Sequence, residues 1–428
     1  MRTPLLLVVS LLVVLTGCNT ASNMSREVGS WFRTDRATGG YNAGGQQNGS
    51  TETPAAAPAT AVTSEPLASS VQQGSLDGTL SNNNVPPQSM TGKASNARAV
   101  KVALLLPLSG KNASMGKSFQ DAAQMAVNDL SADNFELIPR DSGATPTEAV
   151  RAATMAMEEG AQVIIGPVFS ESAAEVKTFI NNRVPVLALT NDANVAGNGT
   201  YVLGFSPAQQ VQRALQYASA KGIRSIAILA PSSIYGDMAV AAANNSGISI
   251  VETQRYTNTK DSIKKAVAAI SARRSEIQGI LLPDGGAALG NVAAELTAVA
   301  LSSHDIPIIG TGLWDEQNVQ QYNVLVGGFF ATSDPAQRSK FTSRYQKAYG
   351  SKPVRLASLA YDATALVAVL AKQGLNYDEQ ALTNPSGFAG LDGIFRLTHE
   401  GIAERGLAVL EVTATGSKVV DPAPRKFQ

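Results

Sequence analysis

The stretch that decides the fold runs from Val100 to Ser118 and reads VKVALLLPLSGKNASMGKS. Its first part, to Leu108, is apolar except for one lysine, as in a strand that is buried on both faces of a sheet. A Ser-Gly loop follows, and an amphipathic helix is predicted to begin near Gly116. A strand, a loop of this composition and a helix form the opening unit of an α/β domain, which binds ligands at the carboxyl end of the strand.

The same alternation of apolar runs and helical patterns continues for about 330 residues, which is large for one core and natural for two lobes. The predicted strands are Val100–Leu108, Phe135–Asp141, Gln162–Gly166, Val184–Thr190, Tyr201–Phe205, Ser225–Ala230, Ile248–Tyr256, Gly279–Pro283, Pro307–Gly310 and Gly327–Ala331. The predicted helices include Thr147–Glu159, Glu171–Asn182, Ala208–Lys221, Asp261–Arg274, Ala287–Leu301, Ala336–Tyr349 and Leu356–Lys372. This order predicts parallel sheets flanked by helices.

The first residues have the pattern of an export signal, with a positive charge at Arg2 and an apolar run too short to span a bilayer comfortably. Leu-Thr-Gly-Cys, ending at Cys18, resembles a bacterial lipobox, which implies cleavage before Cys18 and a lipid anchor on its sulfur. Asn19 stands where an aspartate would resemble an inner-membrane retention signal, so the outer membrane is favoured. The alternative is an ordinary signal peptide with an incidental cysteine, although the chain has only this one.

Residues 19–98 have a different composition, rich in Asn, Gly, Ser, Thr, Ala, Gln and Pro. Apolar residues are too sparse there to offset the entropy of ordering the chain, so we expect a disordered tether. A flexible chain of about 80 residues spans roughly 50 Å on average. The expected organisation is therefore a signal peptide over 1–18, a tether over 19–98 and a folded domain over 99–428.

Charge and motifs argue against several functions. Lys and Arg total 34, as do Asp and Glu, and no basic stripe indicates nucleic-acid binding. A phosphate-binding P-loop is misregistered, because five residues separate Gly110 from Gly116 where the motif has four. Only His304 and His399 could serve as imidazole bases, and no nucleophile-elbow or zinc-protease motif occurs. Catalysis by carboxylates alone stays open, but no pair stands out, so we predict no catalytic residue, metal or cofactor.

The domain resembles the type I periplasmic binding proteins of the leucine/isoleucine/valine-binding branch. The resemblance is carried by these residues: the stretch from Ala103 through the following helix to Leu130, Asp141-Ser142, Val163–Val168, Val184–Leu187, Phe205-Ser206-Pro207, Ser225–Leu229, Tyr235-Gly236 and Leu359–Ala363. It covers residues 100–415 and implies two α/β lobes, joined by three crossover segments, that close on a ligand. We place lobe 1 at about 99–210 and 335–390, and lobe 2 at about 211–334 and 391–428.

The resemblance implies a set of residues that line the cleft between the lobes. Ser170 matches a hydroxyl that meets the ligand's carboxylate, at a helix N-terminus that favours an anion; alternatively it only caps that helix. Tyr235 matches an aromatic residue of the second lobe, or is a buried structural tyrosine. The other cleft candidates are Ser109, Gly110, Asn112, Thr190, Asn191, Asn194, Asp284 and Trp314.

One departure from the family concerns the ligand's ammonium group. The amino-acid binders hold it with an acid in the loop after a strand like Pro307–Gly310, whereas here the first acid is Asp315, after Thr311-Gly312-Leu313-Trp314. Asp284 could substitute, though not by position. The chain is also similar to the penicillin-binding protein activators, outer-membrane lipoproteins that regulate a bifunctional peptidoglycan synthase by contact. Two functions stay open: a partner-binding activator, or a receptor that delivers amino acids or small amides to an ABC permease.

Overall fold

The computed structural model of the protein describes residues 99–130, 135–315 and 318–427. Cys18, the predicted signal peptide and the predicted tether lie outside these residues. The described chain forms two large sheets of mainly parallel strands flanked by helices, and one small antiparallel sheet. The predicted α/β class with parallel sheets is confirmed.

The first lobe is built on a sheet whose strands are all parallel. Its elements are β1 (Val100–Leu106), α1 (Ala113–Leu130), β2 (Phe135–Asp141), α2 (Pro146–Glu158), β3 (Val163–Ile165), α3 (Ser170–Ile180), β4 (Val186–Ala188) and β5 (Thr200–Val202), and the strand order is β2-β1-β3-β4-β5. Alternate residues of β1 enter two different cores, Val102 and Leu104 on one face, Ala103 and Leu105 on the other. The predicted burial of this strand on both faces is therefore confirmed.

The second lobe repeats the same construction. Its elements are α4 (Pro207–Ala220), β6 (Ser225–Pro231), α5 (Ile234–Asn244), β7 (Ser249–Tyr256), α6 (Lys260–Ala272), β8 (Gly279–Leu281), α7 (Gly286–Ala298), β9 (Ile308–Gly310) and β10 (Phe329–Thr332). Along β6, Ala227 and Leu229 pack into one core, whereas Ile226 and Ile228 pack into another on the opposite face. This sheet, too, is covered on both sides.

The chain then returns to the first lobe before it finishes in the second. The returning elements are α8 (Pro335–Tyr349), α9 (Ala357–Lys372), α10 (Glu379–Leu382), β11 (Phe388–Gly390), β12 (Gly393–Leu397) and β13 (Ala403–Arg405). The last two strands, β14 (Ala408–Thr413) and β15 (Gly416–Asp421), pair antiparallel and complete a second-lobe sheet of order β15-β14-β10-β9-β8-β6-β7. None of the five strands after residue 387 was predicted from the sequence.

Three segments cross between the lobes, at residues 203–206, 333–334 and 406–407, as the resemblance implies. The first two leave the carboxyl ends of β5 and β10, so the carboxyl edges of the two sheets meet at the crossovers. The third crossover follows Arg405 instead of lying near residue 391. The reason is that Phe395 and Leu397 pack in the first-lobe core.

Two glycines let a helix approach its own preceding strand closely. Gly116 lies inside α1, where a Cβ atom would come within 2.1 Å of the carbonyl oxygen of Pro107. Gly236 in α5 stands in the same relation to Pro231, at 2.0 Å. The helix begins at Ala113, slightly before the predicted start near Gly116, and Gly116 serves packing between helix and strand.

Candidate functional site

The loop after β1 is held in place by an acid at the end of the neighbouring strand. Ser109 and Gly110 are exposed and Asn112 is half-buried, in a short 3-10 turn at Gly110–Asn112. Asp141 accepts two backbone N–H groups at 2.9 Å each, one of them from Leu108, and its carboxylate also pairs with the Ser109 hydroxyl. Partial burial raises the pKa of Asp141, but these hydrogen bonds outweigh it and hold the pKa below its ordinary value. The loop thus lies at the carboxyl edge of the first sheet with a fixed conformation.

Ser170 is the first residue of α3 and is half-buried. The residue in the N-cap position is Phe169, which makes no side-chain capping hydrogen bond. The interpretation of Ser170 as a helix cap is therefore not what the structure shows. As the first residue of the helix, Ser170 lies at the helix N-terminus, where an anion is favoured.

The loop after β4 carries the other first-lobe candidates. Thr190 is buried, and its hydroxyl oxygen accepts the N–H of Asp192 at 3.2 Å. Asn191 is half-buried, and Asn194 is exposed with its amide donating to the Asp192 carboxylate at 2.9 Å. These polar groups lie at the same sheet edge as Ser170.

Tyr235 lies in the first turn of α5, at the carboxyl edge of the second sheet, and is only 7% exposed. Its hydroxyl is 2.9 Å from Thr311 Oγ1 and 3.1 Å from Gln210 Oε1, which also accepts the N–H of Gly312 at 2.9 Å. Burial raises the pKa of Tyr235 well above its ordinary range. Tyr235 thus ties α5 to the loop after β9 and to α4.

Asp284, after β8, is buried and hydrogen-bonded within its own lobe. Its Oδ2 accepts the hydroxyl of Tyr256 at 2.5 Å, and its Oδ1 accepts the N–H of Gly285 at 2.7 Å. Burial, together with the charge of Asp284, raises the pKa of Tyr256. The tyrosine therefore stays protonated and donates to the carboxylate.

Trp314 lies in the core of the second lobe instead of on a cleft wall. Its side chain is wholly buried and packs against Phe330, with the ring centroids 5.9 Å apart. Gly310 makes room for the indole, since a Cβ atom there would lie 2.3 Å from the ring. This packing gives the tryptophan a structural role.

Asp315, the first acid after β9, is paired with two arginines of the first lobe. Arg338 donates from Nη2 to Oδ1 at 2.8 Å, and its Nη1 lies 2.5 Å from Oδ2 as an ion-pair contact. Arg355 Nε lies 3.7 Å from Oδ2, and Thr332 donates to the same oxygen at 3.2 Å. The Asp315 side chain is only 8% exposed, so a ligand would meet it as part of an ion-pair cluster.

The sequence did not reveal this cluster, which extends to Asp362, Asp392 and Arg405 in the first lobe. Its members are separated by up to 90 residues (405 − 315) and belong to six different segments. The available signal was a charged residue within an apolar run, such as Arg405 before Leu407–Leu410 or Asp362 inside the apolar helix α9.

Two further properties concern the described residues only. No group of three or more His, Cys, Asp or Glu residues in them is placed to hold a metal ion. No helix within 99–130, 135–315 and 318–427 has the length and apolarity that crossing a bilayer requires.

Two α/β lobes joined by three crossovers, with polar loops at the facing carboxyl edges, define the class of two-lobed binding proteins. The sequence model of the family described as "Periplasmic binding protein" matches residues 99–417. The chain belongs to this family.

Solved structures of solute-binding proteins share the fold at low sequence identity. A branched-chain amino acid ABC transporter protein from Rhodospirillum rubrum superposes with a TM-score of 0.65 at 19% identity, over 75% of this chain and 100% of that one. A solute-binding protein from Rhodopseudomonas palustris BisB5, in complex with 3,4-dihydroxybenzoic acid, gives a TM-score of 0.57 at 20% identity, covering 77% and 97%. These likenesses establish the fold alone.

Curated relatives match over part of their length. The penicillin-binding protein activator LpoA of Photobacterium profundum is 32% identical over 152 residues, which are 35% of this chain and 24% of that protein. LpoA of Vibrio cholerae is 30% identical over 169 residues, covering 38% and 27%. An uncharacterized protein of Rickettsia prowazekii is 24% identical over 179 residues, covering 41% and 48%. The matches thus span between a quarter and a half of the relatives' length, and none of these proteins is named as an enzyme.

Proposed function

We propose that this protein is an envelope lipoprotein that regulates peptidoglycan synthesis by contact with a bifunctional penicillin-binding protein and catalyses no reaction itself. The observation that carries the proposal is the pairing of Asp315, the acid that follows β9 in the second lobe. In the amino-acid binders this loop supplies the counter-charge for the ligand's ammonium group.

Asp315 is poorly suited to that task, because Arg338 and Arg355 already neutralise it at distances of 2.5 and 3.7 Å. A ligand ammonium would have to compete with two guanidinium groups for a carboxylate that is 8% exposed. An ammonium desolvated without a counter-charge is costly. We therefore expect weak binding, or none, of leucine-like zwitterions.

Asp284 is another second-lobe acid near this edge, and it accepts hydrogen bonds from Tyr256 and from its own loop. Breaking the 2.5 Å contact to Tyr256 would leave a buried hydroxyl in need of a new acceptor. Asp284, like Asp315, is therefore already engaged by groups of the protein and is poorly suited to hold a ligand's ammonium group.

The relatives named as penicillin-binding protein activators support a partner-binding role, although this chain spans only about a quarter of their length. The penicillin-binding protein is therefore the proposed partner, at the periplasmic side of the envelope. The proposed tether over residues 19–98 would let the domain reach a partner away from its membrane.

A solute receptor for an ABC permease is the second candidate, and the first-lobe edge favours it. Ser170, at the start of an 11-residue helix, and Thr190 could meet a ligand carboxylate together with Ser109, Gly110 and Asn112. In this case the ligand would be an amino acid or a small amide held mainly by the first lobe.

Thermal-shift screening against the amino acids and their amides separates the two functions. A receptor is stabilised by several degrees, because a ligand that binds only the native state shifts the unfolding equilibrium. The activator proposal predicts a flat screen and capture of a purified bifunctional penicillin-binding protein by the immobilised domain. A strong shift with one amino acid, combined with no capture, would overturn it.

The lipid anchor is a separate proposal with its own test. Cys18→Ala removes the proposed acceptor of the lipid, so the variant is expected in the soluble periplasmic fraction instead of the outer membrane. Its retention in the membrane fraction would refute the lipobox interpretation.

A further inference from the structure

Six charged side chains form one cluster beside the crossovers, which we name the hinge cluster. Three are acids and three are arginines, and burial raises the pKa of the Asp362 carboxyl to about 7. The members are Asp315, Arg338, Arg355, Asp362, Asp392 and Arg405. The Asp362 and Asp392 side chains are 0% exposed and that of Arg405 is 1% exposed. The cluster therefore lies almost entirely away from water.

The hinge cluster contacts two of the three segments that join the lobes and includes the residue that precedes the third. Arg405, immediately before the third crossover, donates from Nη2 to the carbonyl oxygen of Leu203 in the first crossover at 2.9 Å. Arg355 Nη2 lies 3.4 Å from Oγ of Ser333 in the second crossover. The guanidinium carbons of Arg355 and Arg405 lie 4.5 and 5.0 Å from the ring centroid of Phe205, also in the first crossover. The three connections are thus packed around one charged core.

Asp315 is the member of the cluster that belongs to the second lobe. It follows the buried Trp314 and accepts a hydrogen bond from Thr332 at the end of β10. Arg338, which pairs with it, lies on α8 in the first lobe. Arg355 Nη2 is 3.1 Å from Asp392 Oδ1, while its Nε is 3.7 Å from Asp315 Oδ2. One arginine therefore bridges an acid of each lobe.

Separating the lobes at this point would break ion pairs before water could solvate the separated charges. Rotation about the crossovers must part Arg338 from Asp315 before water can replace the lost contacts. In a site of low exposure this separates the Asp315 carboxylate from the Arg338 guanidinium group while both are still poorly solvated, which costs more than breaking a surface pair. A hinge can bend only to the extent that a ligand's differential affinity exceeds this cost.

We infer that the hinge cluster is an ionic latch that fixes the angle between the two lobes. The first-lobe pairs, Arg405 with Asp362 and Arg355 with Asp392, stiffen the crossovers, and the Asp315–Arg338 pair joins the second lobe to the first beside them. The domain then presents a nearly constant outer surface. The latch does not depend on the proposed function, because it acts in the same way whether a solute or a partner protein binds.

The test is a distance measurement between one spin label on each lobe. Met155 on α2 and Lys264 on α6 are exposed and far from the cluster in sequence, so Met155→Cys and Lys264→Cys provide labelling sites. The full chain carries Cys18→Ser, so that only the two new thiols react. The latch predicts a single narrow distance distribution by double electron–electron resonance.

Arg338→Gln opens the latch while leaving the first-lobe pairs intact, and the distribution should broaden and shift. The matched control is Arg274→Gln, which removes a surface ion pair to Asp305, at 4.0 Å, within the second lobe. It should leave the distribution unchanged. If folded Arg338→Gln behaves as the control does, the latch is refuted.

Loss of folding in Arg338→Gln would not leave the proposal untested. The doubly labelled protein with an intact hinge cluster also tests the proposal. A broad or two-peaked distance distribution in it would show that the lobes move despite the cluster, and would refute the latch. Asp315→Asn provides a second variant that keeps the size of the side chain and removes only its charge.

Discussion

The carboxyl edges of the two sheets present different kinds of polar group to the space between the lobes. On the first-lobe side, short loops bring up hydroxyls and amides such as Ser109, Ser170 and Asn194, which are exposed or half-buried. On the second-lobe side, Tyr235 and Asp284 are buried and hydrogen-bonded within the lobe. Ser109 and Asn194 also form hydrogen bonds within their own lobe, to Asp141 and Asp192, so the two edges differ in the exposure of these groups.

This contrast matters because a hinged receptor needs both walls to offer contacts to a ligand. Where the acids and tyrosines of one wall already form hydrogen bonds within their lobe, the ligand contributes less binding free energy to closure. Such a domain is better suited to display a fixed surface. Each prediction below either removes a brace of the second lobe or examines a polar group of the first.

The largest effect is expected when the acid of the hinge cluster loses its charge. Asp315→Asn should lower the free energy of unfolding by about 3–5 kcal/mol, because Arg338 and Arg355 then share a site with no second-lobe carboxylate. Urea denaturation at neutral pH measures the change. Asp305→Asn, at a surface pair whose side chains are about half exposed, should cost no more than about 1 kcal/mol. Equal losses in the two variants would contradict the burial argument.

A smaller loss is expected from the tyrosine that braces Asp284. Tyr256→Phe removes the donor to a buried carboxylate and should cost about 1–3 kcal/mol. Tyr217→Phe is the control, because the Tyr217 ring packs edge-on against Phe329 at 5.0 Å and keeps that contact without its hydroxyl. If both substitutions leave the denaturation midpoint unchanged, Asp284 is not braced by Tyr256.

Two helix starts in the first lobe should respond differently to the loss of a hydroxyl. Thr145 forms a reciprocal capping box with Glu148 at the start of α2, so Thr145→Ala should cost about 1 kcal/mol. Ser170 is the first residue of α3, so Ser170→Ala should change stability by no more than about 0.5 kcal/mol. Thermal unfolding of both variants gives the comparison. A loss at Ser170 as large as that at Thr145 would restore the capping interpretation.

The smallest effect concerns the pH dependence of the loop after β1. The pKa of Asp141 is held below its ordinary value of 3.8, so the folded state binds fewer protons there than the unfolded chain. Its stabilisation is fully present above pH 3.8 and is lost as the pH falls through the lower folded-state pKa. Asp141→Asn should therefore flatten the acid limb of the stability curve. An unchanged acid limb would show that the carboxylate does not fix this loop.

The sequence was informative where apolar periodicity was strong. The nearly unbroken apolar run of β1 predicted its burial on both faces, and all ten predicted strands overlap strands of the structure. The strands from Phe388 onward were not predicted, because they are three to six residues long and are interrupted by polar residues and glycines. Such short segments gain their stability from antiparallel partners, which a local pattern does not reveal.

The site was less predictable, because side-chain environment depends on contacts that are distant in sequence. From the sequence, an aromatic residue after a strand end, such as Trp314, is equally compatible with a cleft wall and with the core. In the structure, the absence of a side chain at Gly310 leaves room for the indole in the core. Asp315 was recognised as the first acid of its loop, but its partners Arg338 and Arg355 belong to the other lobe. Pairing across a hinge leaves no periodic signal.

The most direct test of the proposed function is the rate of glycan and peptide cross-link synthesis by a purified bifunctional penicillin-binding protein from the same cell, measured as this protein is titrated in. We predict a saturable increase in rate that is unaffected by added amino acids. No increase, together with saturable binding of an amino acid that depends on Ser170, would contradict the proposal and favour the transport receptor.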